Sequence, residues 1–279
     1  MTHNLREVRS MLHSTPAEFE RLASNMADSD AFDGIVANEG RSLLGKLGAG
    51  GKELSSILST AQTQTAPLDD VHNVTGQSDF KLADLHKGRT TIYLVLPGMR
   101  IPTHFRWMRL MIQQALAATE RYPVPRGGIP VLFMLEEFSA LGPMRQVEAA
   151  AGLFAGHGVK LWTVLQDLSQ LKTHYPKSWE TFLGNAGIIQ AFGNADLTTT
   201  EHLSKMLGMT TVVERQQVRV SGSAMSNGDT GQREQLRAVR LLDPNEITRH
   251  FARETGRQLI MMPGRPPIYM ERMDHYEIT

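Results

Sequence analysis

The amino-acid sequence predicts an α/β protein with a mostly parallel sheet flanked by helices, preceded by an all-helical segment. Up to residue 66, apolar residues recur at the spacing of amphipathic helices. From Asp79 onward, short apolar runs typical of buried strands alternate with segments of helical spacing. Because this alternation is typical of parallel sheets with right-handed crossovers, residues 67–279 are assigned to one α/β domain and residues 1–66 to the helical segment.

The clearest helix start in the first segment is at Thr15, which precedes Pro16 and lies three residues before Glu18. A hydroxyl at this position can cap free backbone N–H groups, and proline fits the first turn of a helix. Later apolar residues predict two more helices, separated by the glycine-containing break at 48–51. Residues 67–76 are predicted to form a connecting loop.

The α/β part contains strands and long helices in alternation. The predicted strands are 90–96, 131–135, 159–165, 187–192 and 258–262, and the predicted long helices are 103–121, 144–154 and 197–207. Residues 210–220 alternate in polarity as an exposed ribbon does, and 266–270 are predicted to pair near the last strand or to run along an edge.

Two adjacent carboxylates, Glu136 and Glu137, follow the second predicted strand at the point where it leaves the sheet. The five apolar residues before them, entered through Pro130, predict a strand that is buried on both faces. Open parallel sheets bind ligands at the carboxyl ends of their strands, and acids placed there usually have a cation or a chemical task. The pattern is typical of a Walker B motif, in which the first acid helps to hold magnesium and the second polarises the attacking water. The alternative is a buried strand followed by ordinary solvated acids.

Composition excludes several classes of function. The chain has no cysteine, which excludes disulfides and thiolate metal sites. Its 29 basic and 29 acidic residues give a formal net charge of zero, so no global field attracts nucleic acid or anionic lipid. No apolar run approaches the roughly 20 residues that a membrane span needs, and the polypeptide is therefore expected to be soluble.

Several motifs in the α/β part together resemble one known family. They are YLVLPGMR, VLFMLEEFSALG, LWTVLQDLSQL, FLGNAGIIQAFGNADLTTTEHLSKMLG, LLDPNEI and PGRPPIYMERMDHY, in this order along the chain. The set resembles the cytoplasmic domain of type IV secretion coupling proteins, the TraG-like ATPases of conjugation. The resemblance extends over nearly the whole chain, because residues 1–66 are similar to the distal part of the all-helical insert domain of this family.

The resemblance implies a RecA-like nucleotide-binding domain from a membrane-anchored hexamer at the cytoplasmic face of the bacterial inner membrane. It implies ATP and Mg²⁺ as ligands, and a role in linking a relaxase–DNA complex, or a protein effector, to the inner-membrane channel of the secretion system. By matching position, Glu136 would be the acid that holds magnesium through water, Glu137 the catalytic carboxylate, and Gln166 a polar sensor on the neighbouring strand. An amide suits that task because it hydrogen-bonds both water and phosphate without titrating. Gln166 also fits an ordinary surface residue at a strand end.

The sequence departs from the family pattern in two places. The family typically has aspartate at the first acid, whereas this chain has Glu136, which is one methylene longer. The second departure is that no segment of the sequence qualifies as the phosphate-binding loop, or Walker A motif. The nearest candidate, 40–47, has the required glycines and Lys46 but ends in Leu47 instead of Ser or Thr, and helical periodicity, not a strand, precedes it.

We therefore expect a truncated family member that lacks the P-loop strand, which in the family lies between the sensor strand and the strand at 187–192. Two hypotheses follow from this expectation. In the first, the chain is a P-loop ATPase component that is inactive alone and acts when an upstream polypeptide supplies Walker A. In the second, it is a non-catalytic binding or oligomerisation module that retains only partner contacts.

Overall fold

The computed structural model describes residues 5–70, 80–87, 89–125, 127–153, 156, 158–217 and 232–273. Within it the chain forms two compact units, Met1–Val131 and Leu132–Thr279. The first unit is helical apart from its extended segments, and the second combines strands with helices. Mixed helices and strands confirm the predicted α/β class, whereas the predicted domain boundary between residues 66 and 67 stays a prediction.

The first unit begins with the helices that the apolar spacing predicts. They are α1 (Leu5–Leu12), α2 (Pro16–Ala27), α3 (Ile35–Gly48) and α4 (Lys52–Thr65), followed by the single turn α5 (Pro67–Asp70). Thr15 and Glu18 form a reciprocal capping box at the start of α2, as predicted. The predicted loop at 67–76 is wrong at its start, because α5 occupies residues 67–70; residues 71–76 lie outside the described residues.

Helices α2 and α3 pack together through glycine. Gly40 is buried, and a Cβ atom built on it would lie 2.4 Å from the backbone nitrogen of Ala27 and 2.8 Å from the carbonyl oxygen of Ala23. The 40–47 segment considered as a phosphate-binding loop is therefore part of α3, as its periodicity indicates. Lys46 forms an ion pair with Glu53, their atoms Nζ and Oε1 lying 2.8 Å apart.

Arg9 fastens α1 to the end of the helical segment. Its guanidinium donates to both carboxylate oxygens of Asp69, at 2.9 and 2.7 Å, and to the carbonyl of Gln62 and the hydroxyl of Thr65. The hydrogen bonds from Arg9 hold the pKa of the Asp69 carboxyl below its ordinary value. Because Arg9 itself is buried, these four acceptors satisfy a charge that would otherwise be costly.

The rest of the first unit contains a long helix and one segment that differs from prediction. Helix α6 (Ile101–Arg121) follows a 3₁₀ turn, Gly98–Arg100. The segment 90–96, predicted as a strand, belongs to no ladder in the described part of the chain, and its side chains Tyr93 and Val95 are 82% and 78% exposed. A strand requires a hydrogen-bonding neighbour, which a local sequence pattern cannot guarantee.

The second unit alternates strands and helices through its first half, as predicted. Its elements are β1 (Val131–Leu135), α7 (Arg145–Leu153), β2 (Val159–Thr163), α8 (Leu168–His174), α9 (Trp179–Gly184), β3 (Ile189–Ala191), α10 (Leu197–Leu207), β4 (Met209–Gln217), β5 (Gln232–Arg240), α11 (Pro244–His250), β6 (Arg257–Met261) and β7 (Ile268–Glu271). Strand β1 starts one residue before the boundary between the units.

The described strands form three small sheets. Strands β1 and β2 pair, and the N–H of Val164 donates to Leu135 while the carbonyl of Val164 accepts from Phe138, which is the pattern of parallel neighbours. Strand β6 pairs antiparallel with β3 on one side and β7 on the other, and β4 and β5 form an antiparallel ribbon. The predicted pairing of 266–270 with the last strand is thus confirmed.

A compact core holds the β3–β6 sheet against α10 and α11. Its buried side chains are Ala191, Leu203, Ile247, Phe251, Leu259 and Met261. Asp243 and Glu246 form a capping box that starts α11, so a local signal orients the helix that buries Ile247 and Phe251.

Strand β1 differs from the prediction that both of its faces are buried. Leu135 is buried, but Leu132 and Met134 are 51% and 50% exposed. In β2 and just after it, Trp162 and Val164 are also exposed, at 49% and 43%. Exposed positions alternate in both strands, so one face of the pair is uncovered in the described part of the chain.

Among the described residues, no helix combines the length and the apolar character needed to cross a membrane.

Candidate functional site

The structure brings two of the three predicted site residues into contact. Glu137 follows β1 and Gln166 follows β2, at the carboxyl ends of these parallel strands. The side-chain amide of Gln166 donates to the carboxylate of Glu137, with Nε2 at 3.3 Å from Oε2 and 3.5 Å from Oε1. The geometry therefore fits the predicted acid and sensor pair, whose catalytic roles stay a prediction.

The backbone of Glu137 is left-handed, with φ at 47° and ψ at 45°. This conformation costs a residue with a side chain about 1–2 kcal/mol, so surrounding contacts must hold it. Phe138 provides one of them, because its N–H donates to the carbonyl of Val164 at 3.2 Å and the residue is 99% buried. The turn thus sends Phe138 into the core and leaves the carboxylate of Glu137 exposed at the sheet edge.

Tyr175 anchors the loop that follows Glu137. Its ring stacks on Phe138 with the ring centroids 5.9 Å apart. Its hydroxyl oxygen accepts a hydrogen bond from the buried N–H of Met144 at 2.8 Å. Residues at both ends of the loop 138–144 are therefore fixed by one side chain.

Tyr175→Phe is expected to lower the free energy of unfolding by about 1–3 kcal/mol, because the buried N–H of Met144 loses its acceptor. Urea denaturation followed by circular dichroism measures this change. Tyr269→Phe is the matched control, since Tyr269 is 50% exposed and its hydroxyl makes no hydrogen bond within the described residues. Equal stability of Tyr175→Phe and the unmodified chain would contradict the anchoring role.

Local hydrogen bonds hold the loop that carries Gln166. Asp167 caps α8 by accepting from the N–H of Gln170 at 2.9 Å. The N–H of Leu168 donates to the hydroxyl of Thr199 at 2.9 Å, which ties this loop to the start of α10. Gln170 Nε2 and Gln166 Oε1 lie 3.5 Å apart, so the amide of Gln166 is held from one side while its NH₂ group faces Glu137.

Asn194 is a further member of this edge that sequence reasoning missed. Its side-chain amide donates to the backbone carbonyl of Gln166 at 3.4 Å, which links the end of β3 to the end of β2. The FGNAD segment that contains it gave the only available signal, since polar residues after a strand lie at its carboxyl end.

Glu136, the third predicted residue, is exposed, and its side chain makes no hydrogen bond or ion pair with another described residue. Glu136 offers carboxylate oxygens in this place, which is the donor chemistry that Mg²⁺ requires. No cluster of three or more His, Asp or Glu side chains in the described ranges could hold a metal alone. The residues therefore fit an ion that is shared with phosphate oxygens and water, as Mg²⁺ in nucleotide sites is.

His202 lies on α10, next to the side chain of Trp179. Its ring meets Trp179 edge-on at 5.1 Å between centroids, and the ammonium of Lys172 lies 4.3 Å from the centroid of the same indole. Burial lowers the pKa of His202, and the nearby charges of Lys172 and Lys205 lower it further, whereas Glu180 raises it. The structure therefore favours the neutral imidazole.

The depressed pKa of His202 predicts that stability falls as the pH drops from about 7.5 toward 5.5. The folded pKa is below the unfolded value of about 6.5, so this contribution is complete above that value and is lost as pH falls through the folded pKa. His202→Gln should reduce the pH dependence measured by urea denaturation. In an NMR titration of His202, Lys172→Gln should raise its pKa and Glu180→Gln should lower it; shifts of the opposite sign would contradict the assignment.

An apolar cavity of about 400 Å³ in the second unit contains none of the predicted site residues. Its lining includes Leu183, Ile189, Met206, Met261 and Arg265. Ile189 begins β3, whereas Gln166 and Asn194 meet beyond its other end, so the cavity lies away from the Glu137–Gln166 contact.

Comparison with known proteins gives a consistent result across the chain. The family model for type IV secretory system conjugative DNA transfer matches residues 3–278. Protein VirD4 of Rhizobium rhizogenes is 27% identical over 281 residues, covering 95% of this chain and 39% of the relative. A conjugal transfer protein TraG of Escherichia coli is 29% identical over 300 residues, covering 96% of this chain and 46% of the relative. The chain thus spans less than half of the length of these relatives.

Solved structures show the same fold. The bacterial conjugative coupling protein TrwBdeltaN70 superposes with a TM-score of 0.69 at 14% identity, covering 98% of this chain and 58% of that one. TrwB in complex with ADP and Mg²⁺ superposes with a TM-score of 0.67 at 15% identity, with the same coverage. The predicted fold class is therefore confirmed.

Proposed function

Because the chain belongs to the type IV secretory system conjugative DNA transfer family, we propose that it supplies the water-activating half of an ATP-hydrolysing transfer motor. The contact between Gln166 Nε2 and Glu137 Oε2, at 3.3 Å, carries this proposal. It joins an acid and a non-titrating amide at adjacent strand ends, which is the pairing that positions water for attack on a phosphate.

In the proposed reaction, Glu137 accepts a hydrogen bond from the attacking water and takes its proton as the oxygen bonds to the γ-phosphorus of ATP. The bond between that phosphorus and the β–γ bridging oxygen breaks, and ADP leaves. Gln166 orients the carboxylate and the water through its amide. Glu136 would hold Mg²⁺ through water, and the ion would supply charge neutralisation to the phosphates.

The phosphates also need a cradle of backbone N–H groups and a lysine. The described residues contain no strand, glycine-rich turn and helix in succession that ends in Gly-Lys-Ser/Thr, and the 40–47 segment is helical. We therefore propose that a polypeptide segment other than these 279 residues, continuous with them or separate, supplies the phosphate-binding loop. This proposal is consistent with relatives that are more than twice as long as the matched region.

The partners follow from the proposed role and are proposals with it. In a conjugative system the motor would link a relaxase–DNA complex or a protein effector to inner-membrane channel components. Self-association into a hexamer at the cytoplasmic face of the inner membrane would complete such a machine.

A complementation assay tests the proposed function. The chain is mixed with a separately expressed segment of a relative that carries a strand, a Gly-Lys-Ser/Thr loop and the following helix, and phosphate release from MgATP is measured. Neither polypeptide alone should hydrolyse ATP, whereas the mixture should. Hydrolysis by the isolated chain would contradict the proposed division of the site.

A second candidate function is a non-catalytic binding module, and the β4–β5 ribbon favours it. The strand register places Val213 opposite Leu236, and Met209, four residues before Val213, lies on the same face of the ribbon. Met209, Val213 and Leu236 are 63%, 53% and 72% exposed. An apolar ribbon face that is this exposed suits contact with another protein. Loss of partner binding without loss of hydrolysis, on changing Leu236 to Ser, would separate the two functions.

A further inference from the structure

Three arginines converge at the sheet edge where β3 ends. We call Arg253, Arg257 and Arg272 the arginine cluster. Arg257 begins β6, which runs antiparallel to β3, and Arg272 directly follows β7, which runs antiparallel to β6. Arg253 begins the 3₁₀ turn before β6. The antiparallel order therefore brings all three to the edge at which Asn194 contacts Gln166.

Arg272 makes two contacts in this cluster. Its Nη2 donates to the carbonyl oxygen of Arg253 at 2.6 Å, and its guanidinium lies 4.6 Å from the centroid of the Phe192 ring. The Nε atom is buried and has no hydrogen-bond partner among the described residues. A buried charged donor without an acceptor is unfavourable, so the position of this guanidinium is not explained by the stability of the sheet alone.

Arg253 reaches the same place because Gly193 leaves room for it. Gly193 has φ at +66°, and a Cβ atom built there would come within 2.9 Å of Cγ of Arg253. The Arg253 side chain is exposed, and only its backbone carbonyl holds Arg272. Its guanidinium therefore remains available to a ligand.

The charges of the cluster are not neutralised within the described part of the chain. Arg253, Arg257 and Arg272 form no ion pair there, although the exposed carboxylates Glu254 and Glu271 lie at the same edge. Arg257 instead lies over the ring of Tyr269, 5.5 Å from its centroid. Guanidinium groups that have no carboxylate partner among the described residues match the planar, bidentate geometry of phosphate.

We propose that Arg272 and Arg253 form a binding site for the polyphosphate of a nucleotide, beside the Glu137–Gln166 contact. The identity of the ligand as a nucleotide rests on the proposed function, whereas the anion site rests on the cluster itself. A single-stranded nucleic acid needs cations spread along a groove, whereas these arginines occupy one rim of the sheet. The observations therefore favour a compact polyphosphate.

Calorimetric titration of the full chain with sodium tripolyphosphate tests the site. Arg272→Gln and Arg253→Gln should each weaken binding about tenfold, the size expected for loss of one charge-assisted contact. Arg249→Gln is the matched control, because Arg249 is exposed on α11 and its Nε donates to the carbonyl of Asn245 within the same helix. It should change the affinity less than twofold.

Arg253→Gln keeps the test valid if Arg272→Gln disturbs folding, because the backbone carbonyl that holds Arg272 is unchanged. No binding by the unmodified chain, equal affinity of the two cluster variants and the unmodified chain, or an equal loss in Arg249→Gln would overturn the proposal. Loss of oligothymidylate binding with tripolyphosphate binding intact would also overturn it, in favour of nucleic acid. Glu137→Gln removes a negative charge beside the site and should therefore not weaken tripolyphosphate binding, so failure of the hydrolytic proposal and failure of the anion site give different results.

Discussion

Glu137→Gln is expected to lower ATP hydrolysis in the complemented system by about 10²–10⁴-fold, the range for loss of a general base. The substitution removes the proton acceptor but keeps the side-chain length and an oxygen that can accept from Gln166. Affinity for MgATP should change little, because the carboxylate acts on water and not on the phosphates. Phosphate release and nucleotide titration measure the two quantities separately.

Two variants serve as comparisons for this result. Glu201→Gln removes the same charge from an exposed position on α10 and should retain full hydrolysis. Gln166→Ala should lower hydrolysis less than Glu137→Gln, because it removes orientation and leaves the base in place. More than a third of the unmodified rate in Glu137→Gln would mean that Glu137 is an ordinary solvated acid at the end of a strand.

Gly40→Ala is expected to destabilise the helical segment by about 2 kcal/mol, the typical cost of overfilling a packed interface. The added Cβ atom would meet backbone atoms of α2 at 2.4 and 2.8 Å, so no side-chain rotation can relieve the contact. Helices α2 and α3 must separate, and their amides should exchange faster in a hydrogen-exchange measurement.

Gly45→Ala provides the control within the same helix. Gly45 is exposed, and a Cβ atom built on it meets nothing within 4 Å. Alanine has a higher helix propensity than glycine, so this substitution should raise the free energy of unfolding by about 0.5–1 kcal/mol. The two Gly→Ala changes in α3 should therefore have opposite signs, and the same sign for both would contradict the observed packing.

Local chemistry explains which parts of the fold could be predicted from sequence. Thr15 with Glu18 predicts the start of α2 because the capping partners are three residues apart. The carboxylates that directly follow β1 likewise mark the end of that strand from adjacent residues alone. The contact between Glu137 and Gln166 was predictable as far as both follow strands of one parallel sheet. Residue spacing alone does not predict the hydrogen bond between Glu137 and Gln166. It also does not establish the roles assigned to these two residues and to Glu136.

The features that sequence did not predict depend on distant residues. Segment 90–96 has strand composition but no ladder partner in the described chain, and pairing is not a local property. The hydrogen bond of Tyr175 to Met144 spans 31 residues, and Arg272 reaches Phe192 only because β7, β6 and β3 lie side by side. Such contacts become visible only once the order of the strands is known.

The exposed apolar face of the β1–β2 pair would contribute binding free energy to any element that covered it. Leu132, Met134, Trp162 and Val164 remain about half hydrated, and full burial would contribute roughly 1 kcal/mol from each. A helix that closed over them would thus gain about 4 kcal/mol before any phosphate or nucleotide contact is made. This gain, close to a thousandfold in an association constant, would favour assembly of the proposed motor at modest concentrations of its parts.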